Sequence, residues 1–215
     1  MKTYILFLGF VALGIGSYFL IEDNLSQIAE ENSPKLTAEI LPEDTLETAG
    51  PNAPDEVNVI IEIERGTKSR YKYDAEAKRL MLFETSYYPL NFPGDFGTIL
   101  GTTIRGGEAL GIIVLTIDSA PPGTFISVRP IAVIVSEEKS QRINTIVGVP
   151  IADIRYKNVN EIADLQKEQK DALINYLGNV HTLKGRPARL IGYEKSGTAK
   201  RIVELGIEAY EKIKQ

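Results

Sequence analysis

The sequence predicts an α+β domain in which short strands come first, close on themselves, and are followed by helices. Two observations carry this prediction. β-branched and aromatic residues alternate or cluster in short runs between residues 57 and 149, and apolar residues then recur at helical spacing towards the C-terminus. A third observation concerns organisation, because residues 1–56 divide into an apolar stretch and an acidic stretch that both differ in composition from the domain.

The first 21 residues predict a transmembrane helix. Tyr4–Ile21 contains no charged residue and is bounded by Lys2 and Glu22. At ~1.5 Å per residue, a helix of this length approaches the ~30 Å hydrocarbon core of a bilayer. A cleaved signal peptide is the alternative, since small residues occur near Gly14–Ser17. Lys2 favours a cytoplasmic N-terminus, so we expect a single-pass membrane protein with its domain on the periplasmic or lumenal side.

Residues 22–56 predict an acidic, flexible linker. Between Glu22 and Asp55 there are nine acidic residues against Lys35 alone, and four prolines. Such a segment cannot bury enough apolar surface to offset its chain entropy. Its scattered leucines and isoleucines leave a second possibility open, in which the segment docks onto a partner or onto the domain.

The domain is predicted over residues 57–215, and its first part consists of strands. Expected strands are 57–63, a hairpin of 70–74 and 80–83 around 75–78, then 111–117, a pair of strands at 125–129 and 131–135 around Pro130, and 143–149. The helices follow. The first is expected near 161–177, ending by Gly178, and Ser196 can cap the second.

Composition excludes several classes of function. The chain has no cysteine, which rules out disulfides and thiolate metal sites. Its net charge of −5, without a basic cluster, makes nucleic acid an unexpected partner. Only one histidine, His181, is present, and the sequence shows no catalytic triad or phosphate-binding glycine loop.

Five segments carry a family resemblance. The first and most informative is Phe92–Leu115, and the others, in chain order, are Asn58–Ile63, Pro121–Ile131, Val147–Pro150 and Asp171–Leu177. Together they resemble the soluble, metal-dependent inorganic pyrophosphatases, in which the first segment reads Y-P-x-x-Y-G followed by D-G-D-P-x-D. The resemblance implies a five-stranded barrel of the oligonucleotide-binding type (an OB-like closed β-barrel), flanked by C-terminal helices.

The resemblance also implies which positions would hold metal, and most of them differ here. The three aspartates of D-G-D-P-x-D fall on Gly106, Glu108 and Gly111. The next family carboxylate falls on Glu138, or on Glu137 if the gap shifts, and two others fall on Ile143 and Lys72. The candidate metal ligands are therefore Glu108 and Glu138. Because a magnesium cluster needs several carboxylates, no cofactor is expected unless activity remains, in which case it is Mg²⁺.

The phosphate-binding positions implied by the resemblance are changed too. Arg70 replaces a family lysine and is the candidate phosphate contact, with a planar fork in place of a point charge. Phe92 and Phe96 keep the rings of two tyrosines without their hydroxyls. The remaining positions carry Glu84, Thr145, Val180 and His181.

These substitutions favour one hypothesis and leave two alternatives. The favoured hypothesis is a membrane-anchored, catalytically inactive pyrophosphatase-like protein that serves as an accessory or scaffold subunit of a membrane complex, with protein partners or as a homo-oligomer. The first alternative is a divergent Mg²⁺-dependent inorganic diphosphatase that uses Arg70, Glu108 and Glu138. The second is a sensor that binds an anion or a nucleotide in the old cleft without hydrolysing it.

Overall fold

The computed structural model of the chain describes residues 48–74, 79–86, 90–104, 107–183, 185 and 188–214. The predicted anchor at 1–21, most of the predicted linker, the hairpin turn at 75–78 and Gly106 lie outside the described residues.

Eight strands and two α-helices are present in the described part of the chain. The strands are β1 Val57–Ile63, β2 Ser69–Asp74, β3 Arg79–Thr85, β4 Asp95–Ile99, β5 Gly111–Val114, β6 Phe125–Glu138, β7 Gln141–Pro150 and β8 Ala188–Lys195. The helices are α1 Lys167–Leu183 and α2 Ser196–Lys214, and short 3₁₀ turns cover Ile154–Tyr156 and Ile162–Asp164. The α+β class predicted from the sequence is confirmed.

Six strands form one mixed sheet in the order β1-β4-β5-β7-β6-β8, and β1 also pairs with β6. The pairs β1–β4, β4–β5, β6–β7, β6–β8 and β1–β6 are antiparallel, whereas β5 and β7 run parallel. Strands β2 and β3 form a separate antiparallel hairpin. Two of these strands, β4 and β8, were not predicted from the sequence.

The prediction of two strands around Pro130 is wrong, because β6 is one continuous strand. Proline has no N–H to donate to the ladder. Here the β6–β7 register shifts between Pro130 and Ala132, so the strand continues through an irregularity. The ladder resumes with Ala132 opposite Val147 and runs on to Glu138 opposite Gln141.

The first predicted helix is displaced towards the C-terminus. Residues 162–164 form a 3₁₀ turn and α1 begins only at Lys167. Glu161 and Asp164 form a capping box at the N-terminus of this turn, and the Asp164 carboxylate accepts hydrogen bonds from the backbone N–H groups of Asn160 and Glu161 at 3.0 Å each. α1 then passes through Gly178 and ends at Leu183, since one glycine lowers helix stability without breaking the helix.

Two hydrophobic clusters lie on opposite faces of the sheet. Side chains alternate along β5, so that Ile113 joins one cluster and Ile112 joins the other. α1 covers the first cluster with Leu173 and Leu177, and α2 covers the second with Val203. Burial of each such aliphatic side chain contributes about 1.5–3 kcal/mol. This packing places α1 against the cluster that contains Ile113 of β5 and Val147 of β7.

The last part of the predicted linker contacts the domain. Ala49 is buried, and its carbonyl accepts a hydrogen bond from the backbone N–H of Asn58 at 2.8 Å. Lys200 of α2 forms an ion pair with Asp55 at 2.5 Å. Residues 48–56 are therefore packed against the sheet and α2.

The predicted membrane localisation is corrected. Neither helix in the described part of the chain combines the length and the apolarity that crossing a bilayer requires. The reason is visible in α2, whose outward face carries Arg201, Glu204 and Glu208 in ion pairs.

Candidate functional site

A cavity of about 190 Å³ opens between α1, the β2–β3 hairpin and the strands β4, β5 and β7. One part of its wall is apolar and consists of Ile63, Leu90, Phe92, Phe96, Ile113, Tyr176, Leu177 and Val180. The other part is polar and consists of Lys68, Arg70, Glu84, Ser86, Thr145 and His181. The cavity therefore has a charged side at the hairpin and an apolar side against the sheet and α1.

The apolar side is built from three aromatic rings. The Phe92 ring centroid lies 5.1 Å from that of Tyr176 and 6.0 Å from that of Phe96, both in tilted arrangements. These separations lie within the range that aromatic pairs prefer. The Tyr176 pKa is raised by burial, with a smaller contribution from the negative charge of Glu84 at the cavity mouth.

The Phe96 ring also occupies the space beside Gly111. A Cβ added at Gly111 would lie 2.8 Å from Cζ of Phe96, which is too close for real carbon atoms. The family resemblance assigns the third aspartate of its metal motif to Gly111. In this chain an aromatic ring fills the space into which that side chain would project.

The charged side is organised by Glu62, which the sequence analysis missed as a site residue. Glu62 is buried, and its Oε2 accepts from Arg70 Nε at 2.9 Å and contacts Nη2 at 2.8 Å. Its other oxygen, Oε1, accepts from the hydroxyl of Thr98 at 2.8 Å. The signal was present in the sequence: an acidic residue lies within the apolar run Val57–Ile63, and buried glutamates are rare unless paired.

Two aromatic rings hold Arg70 in place in addition to the Glu62 carboxylate. Its guanidinium carbon lies 5.5 Å from the ring centroids of Phe83 and Phe96. Lys72 Nζ lies 4.1 Å from the centroid of the same Phe83 ring. Cation–π contacts of this kind restrict the guanidinium plane, so Arg70 presents a fixed edge to the cavity.

The opposite end of the cavity is formed by α1. His181 lines the cavity, and its Nδ1 lies 3.5 Å from Oε2 of Glu138 at the end of β6. Both side chains are mostly buried. Glu138 therefore contacts His181, a residue that lines the cavity. Glu138 also lines a separate groove with Ile143 at the β6–β7 turn.

The structure brings two of the three predicted site residues to this region. Arg70 lines the cavity and Glu138 contacts a residue that lines it. Glu108 lies apart on an exposed loop, where its carbonyl oxygen accepts a hydrogen bond from the backbone N–H of Ile104 at 2.7 Å. Sequence spacing alone could not show this separation.

The positions of the acidic residues and His181 show whether the described residues could hold a magnesium centre. Within the residues that the structure describes, no three or more histidine, aspartate or glutamate side chains are grouped so that they could share a metal ion. A cluster of several magnesium ions needs such a group. The described residues therefore do not fit a resident multi-metal centre.

Fold and cavity together define the class of protein as an α+β domain whose cavity has a charged side, with Lys68, Arg70 and Glu84, facing an apolar wall. A sequence profile described as inorganic pyrophosphatase matches residues 59–211. The chain is 31% identical over 162 residues to an inorganic pyrophosphatase of Sulfolobus acidocaldarius, covering 74% of this chain and 94% of that protein. It is 26% identical over 163 residues to one of Haloferax volcanii, covering 75% and 92% respectively.

The fold agrees with these relatives. The crystal structure of inorganic pyrophosphatase from Thermus thermophilus matches with a TM-score of 0.69 at 24% identity, covering 78% of this chain and 99% of that one. The chain belongs to the inorganic pyrophosphatase family.

The favoured hypothesis from the sequence is corrected by these findings. An inactive scaffold of a membrane complex was inferred from substitutions at single motif positions. The relatives resemble the chain over most of its length and are named inorganic pyrophosphatase, which favours the diphosphatase alternative. The motif positions did not indicate Glu62, which contacts Arg70 of β2 and Thr98 of β4 in the structure.

Proposed function

We propose that this protein is an inorganic diphosphatase that hydrolyses pyrophosphate to two phosphates. In this reaction the oxygen of water bonds to one phosphorus, the bridging P–O bond breaks, and the proton of the water passes to the departing phosphate. The observation that carries the proposal is the Glu62–Arg70 pair at the cavity, in a chain that belongs to this family.

Arg70 contributes positioning and charge. Guanidinium groups bind phosphate oxygens through paired N–H donors, and these bonds strengthen in a site shielded from water. Glu62 engages Nε and Nη2, which orients the guanidinium, and we assign Nη1 to a phosphate oxygen. Lys68 lines the same side and supplies a second positive charge. Fixed cations of this kind stabilise the charge that spreads over the transferring phosphoryl group.

Magnesium enters the proposal as part of the substrate, as the Mg²⁺ complex of pyrophosphate, because the described residues do not form a multi-metal centre. Bound to pyrophosphate, the ion neutralises charge on the phosphate oxygens. Glu108 and Glu138 stay predictions as metal contacts. No step of the reaction is assigned to either of them.

The finer architecture also belongs to the proposal. The β1–β6 pairing joins the two ends of the series β1-β4-β5-β7-β6, which supports the predicted closed, OB-like barrel. Homo-oligomerisation, predicted from the family resemblance, and protein partners, predicted from the substitutions, stay predictions.

Phosphate release by the purified full chain tests the proposed function. With pyrophosphate and Mg²⁺ we expect release above the enzyme-free rate, and Arg70→Ala is expected to lower it on the order of a hundredfold. Arg189→Ala is the matched control, because Arg189 is exposed and lies 4.0 Å from Glu137, outside the cavity lining. Binding of pyrophosphate without release would contradict the proposal and favour the anion-binding alternative.

A further inference from the structure

The charges around the cavity balance one another. Among the described residues on its hairpin side, Lys68 and Arg70 are cationic, while Glu84 lines the mouth and Glu62 contacts Arg70. A diphosphate therefore gains orientation from Lys68 and Arg70, but little net attraction. Electrostatics alone gives such a cavity a weak hold on a small, densely charged anion.

The apolar wall offers a second source of binding energy. Phe92, Phe96 and Tyr176 form a contiguous aromatic surface beside the Arg70 guanidinium, and Leu90 and Val180 extend it. Pyrophosphate has no group that can use this surface. A compact apolar group on the ligand would bury its own surface against the rings, and that burial is favourable in proportion to its area.

The apolar character is built into the packing. The Phe96 ring packs against Gly111, where an added Cβ would lie 2.8 Å from Cζ of Phe96. Phe92 contacts the rings of both Phe96 and Tyr176. Rings fixed in this way present a preformed surface and lose little entropy when a ligand binds. The wall is the edge of the first hydrophobic cluster, and where it lines the cavity it offers a ligand group an apolar surface.

We propose that the preferred ligand of this cavity is an organic diphosphate that carries one compact apolar group, of the aryl or short alkenyl type. The diphosphate lies at Lys68 and Arg70, and the apolar group lies against Phe92, Phe96 and Tyr176. This inference rests on the proposed function: the same site hydrolyses the same kind of phosphoanhydride bond, and pyrophosphate is the substrate that it holds less tightly. Water adds to the terminal phosphorus, the bond from that phosphorus to the bridging oxygen breaks, and a proton of the water passes to the organic phosphate that departs.

The cavity volume limits the size of that group. A space of about 190 Å³ is smaller than the ~300–1,000 Å³ of sites that enclose drug-sized ligands. It can accommodate one ring or a short branched chain next to the phosphates, but not a whole nucleoside. Nucleotides are therefore expected to bind less tightly than phenyl diphosphate.

Calorimetry with two matched ligands tests the inference. Phenyl diphosphate and methyl diphosphate carry the same diphosphate and differ only in the apolar group. For the full chain with Mg²⁺ we expect phenyl diphosphate to bind at least tenfold more tightly. Arg70→Ala should weaken both ligands by a similar factor, because it removes the contact that they share.

Two variants address the wall directly. Phe92→Leu and Leu90→Ala are each expected to weaken phenyl diphosphate severalfold and to leave methyl diphosphate unchanged. Leu90 is only partly buried, so its variant is expected to fold even if Phe92→Leu does not, and thermal melts report this. Equal affinity of the wild-type chain for the two ligands would overturn the inference.

Pyrophosphate hydrolysis, measured in parallel, separates this inference from the proposed function. Hydrolysis of pyrophosphate with no preference for phenyl diphosphate would overturn the ligand class and leave the diphosphatase in place. A clear preference for phenyl diphosphate without any hydrolysis would support the ligand class and overturn the diphosphatase. Failure of both ligands to bind would overturn the inference whatever the activity.

Discussion

Arg70 directs Nε and Nη2 to the same oxygen of the buried Glu62, Oε2, at 2.9 and 2.8 Å. The remaining oxygen of that carboxylate accepts from Thr98 on β4. Glu62 of β1 thus connects Arg70 of the hairpin with Thr98 of the sheet, and it orients the Arg70 guanidinium at the cavity. Stability and ligand binding are therefore expected to depend on the same carboxylate.

Glu62→Gln tests that dependence. The amide keeps the shape of the side chain but loses the charge that faces Arg70, so we expect a loss of about 2 kcal/mol in the free energy of unfolding. Urea denaturation measures it. The exposed pair of Arg189 and Glu137 provides the control, and Glu137→Gln should cost less than about 1 kcal/mol. Equal losses in the two variants would show that the Glu62 contact contributes nothing beyond a surface pair.

Gly111→Asp restores the residue that the family motif implies, and it is expected to damage the protein. The new Cβ would meet the Phe96 ring, so the ring or the strand must shift, at a cost of about 1–3 kcal/mol. Differential scanning calorimetry should show a lower Tm. Combining Gly111→Asp with Phe96→Ala removes the clash, so the double variant should lose less Tm than the two single variants lose together. A Tm decrease in the double variant equal to or larger than the sum of the two single decreases would contradict this explanation.

Asp95 is expected to be a structural carboxylate. It is fully buried and accepts from the backbone N–H of Arg65 at 2.7 Å, the hydroxyl of Thr116 at 2.7 Å and the backbone N–H of Ala120 at 2.9 Å. Asp95→Asn replaces one accepting oxygen with a donor, and we expect a loss of about 2–3 kcal/mol. The matched control is Asp171→Asn on the exposed surface of α1. Similar denaturation midpoints for the two variants would contradict the assignment.

Asp164 is expected to account for part of the loss of folding stability at acid pH. Hydrogen bonds from the backbone N–H groups of Asn160 and Glu161 hold the Asp164 pKa below its ordinary value of 3.8. A carboxyl whose pKa is lower in the folded state stabilises that state above its unfolded pKa, and this stabilisation is lost as pH falls through the folded pKa. Below about pH 4, the Tm of Asp164→Asn should therefore fall less steeply than that of the wild type. Parallel Tm curves for the two proteins would contradict this prediction.

Most of the strands and both helices could be predicted from the sequence because period-two and helical spacing are local signals. β4 and β8 were missed, and β8 lies between the two helices that were expected to end the chain. The continuity of β6 could not be predicted, since Pro130 signals a break and only the partner strand β7 shows how the ladder absorbs it. α1 begins later than predicted because residues 162–164 form a separate 3₁₀ turn, capped at its N-terminus by Glu161 and Asp164, before the helix starts at Lys167.

The candidate site was predicted in part. Motif spacing indicated Arg70 and Glu138, which the structure brings to the cavity or next to it. It missed Glu62, because its partners Arg70 and Thr98 come from two other strands, β2 and β4, and motif spacing does not show which side chains of separate strands meet. It also paired Glu108 with Glu138, although Glu108 lies on an exposed loop outside the cavity lining. Spacing along a motif does not determine which side chains meet when the motif residues themselves have changed.

The central claim is that the cavity hydrolyses pyrophosphate with Arg70 as its oriented cation. The most direct measurement is hydrolysis in ¹⁸O-labelled water by the full chain, with Mg²⁺ and with Arg70→Ala purified in parallel. The proposal predicts that one of the two product phosphates gains a single ¹⁸O per turnover, at a rate that the substitution lowers on the order of a hundredfold. Label incorporation no faster than in enzyme-free buffer, or at the same rate in both proteins, would contradict it.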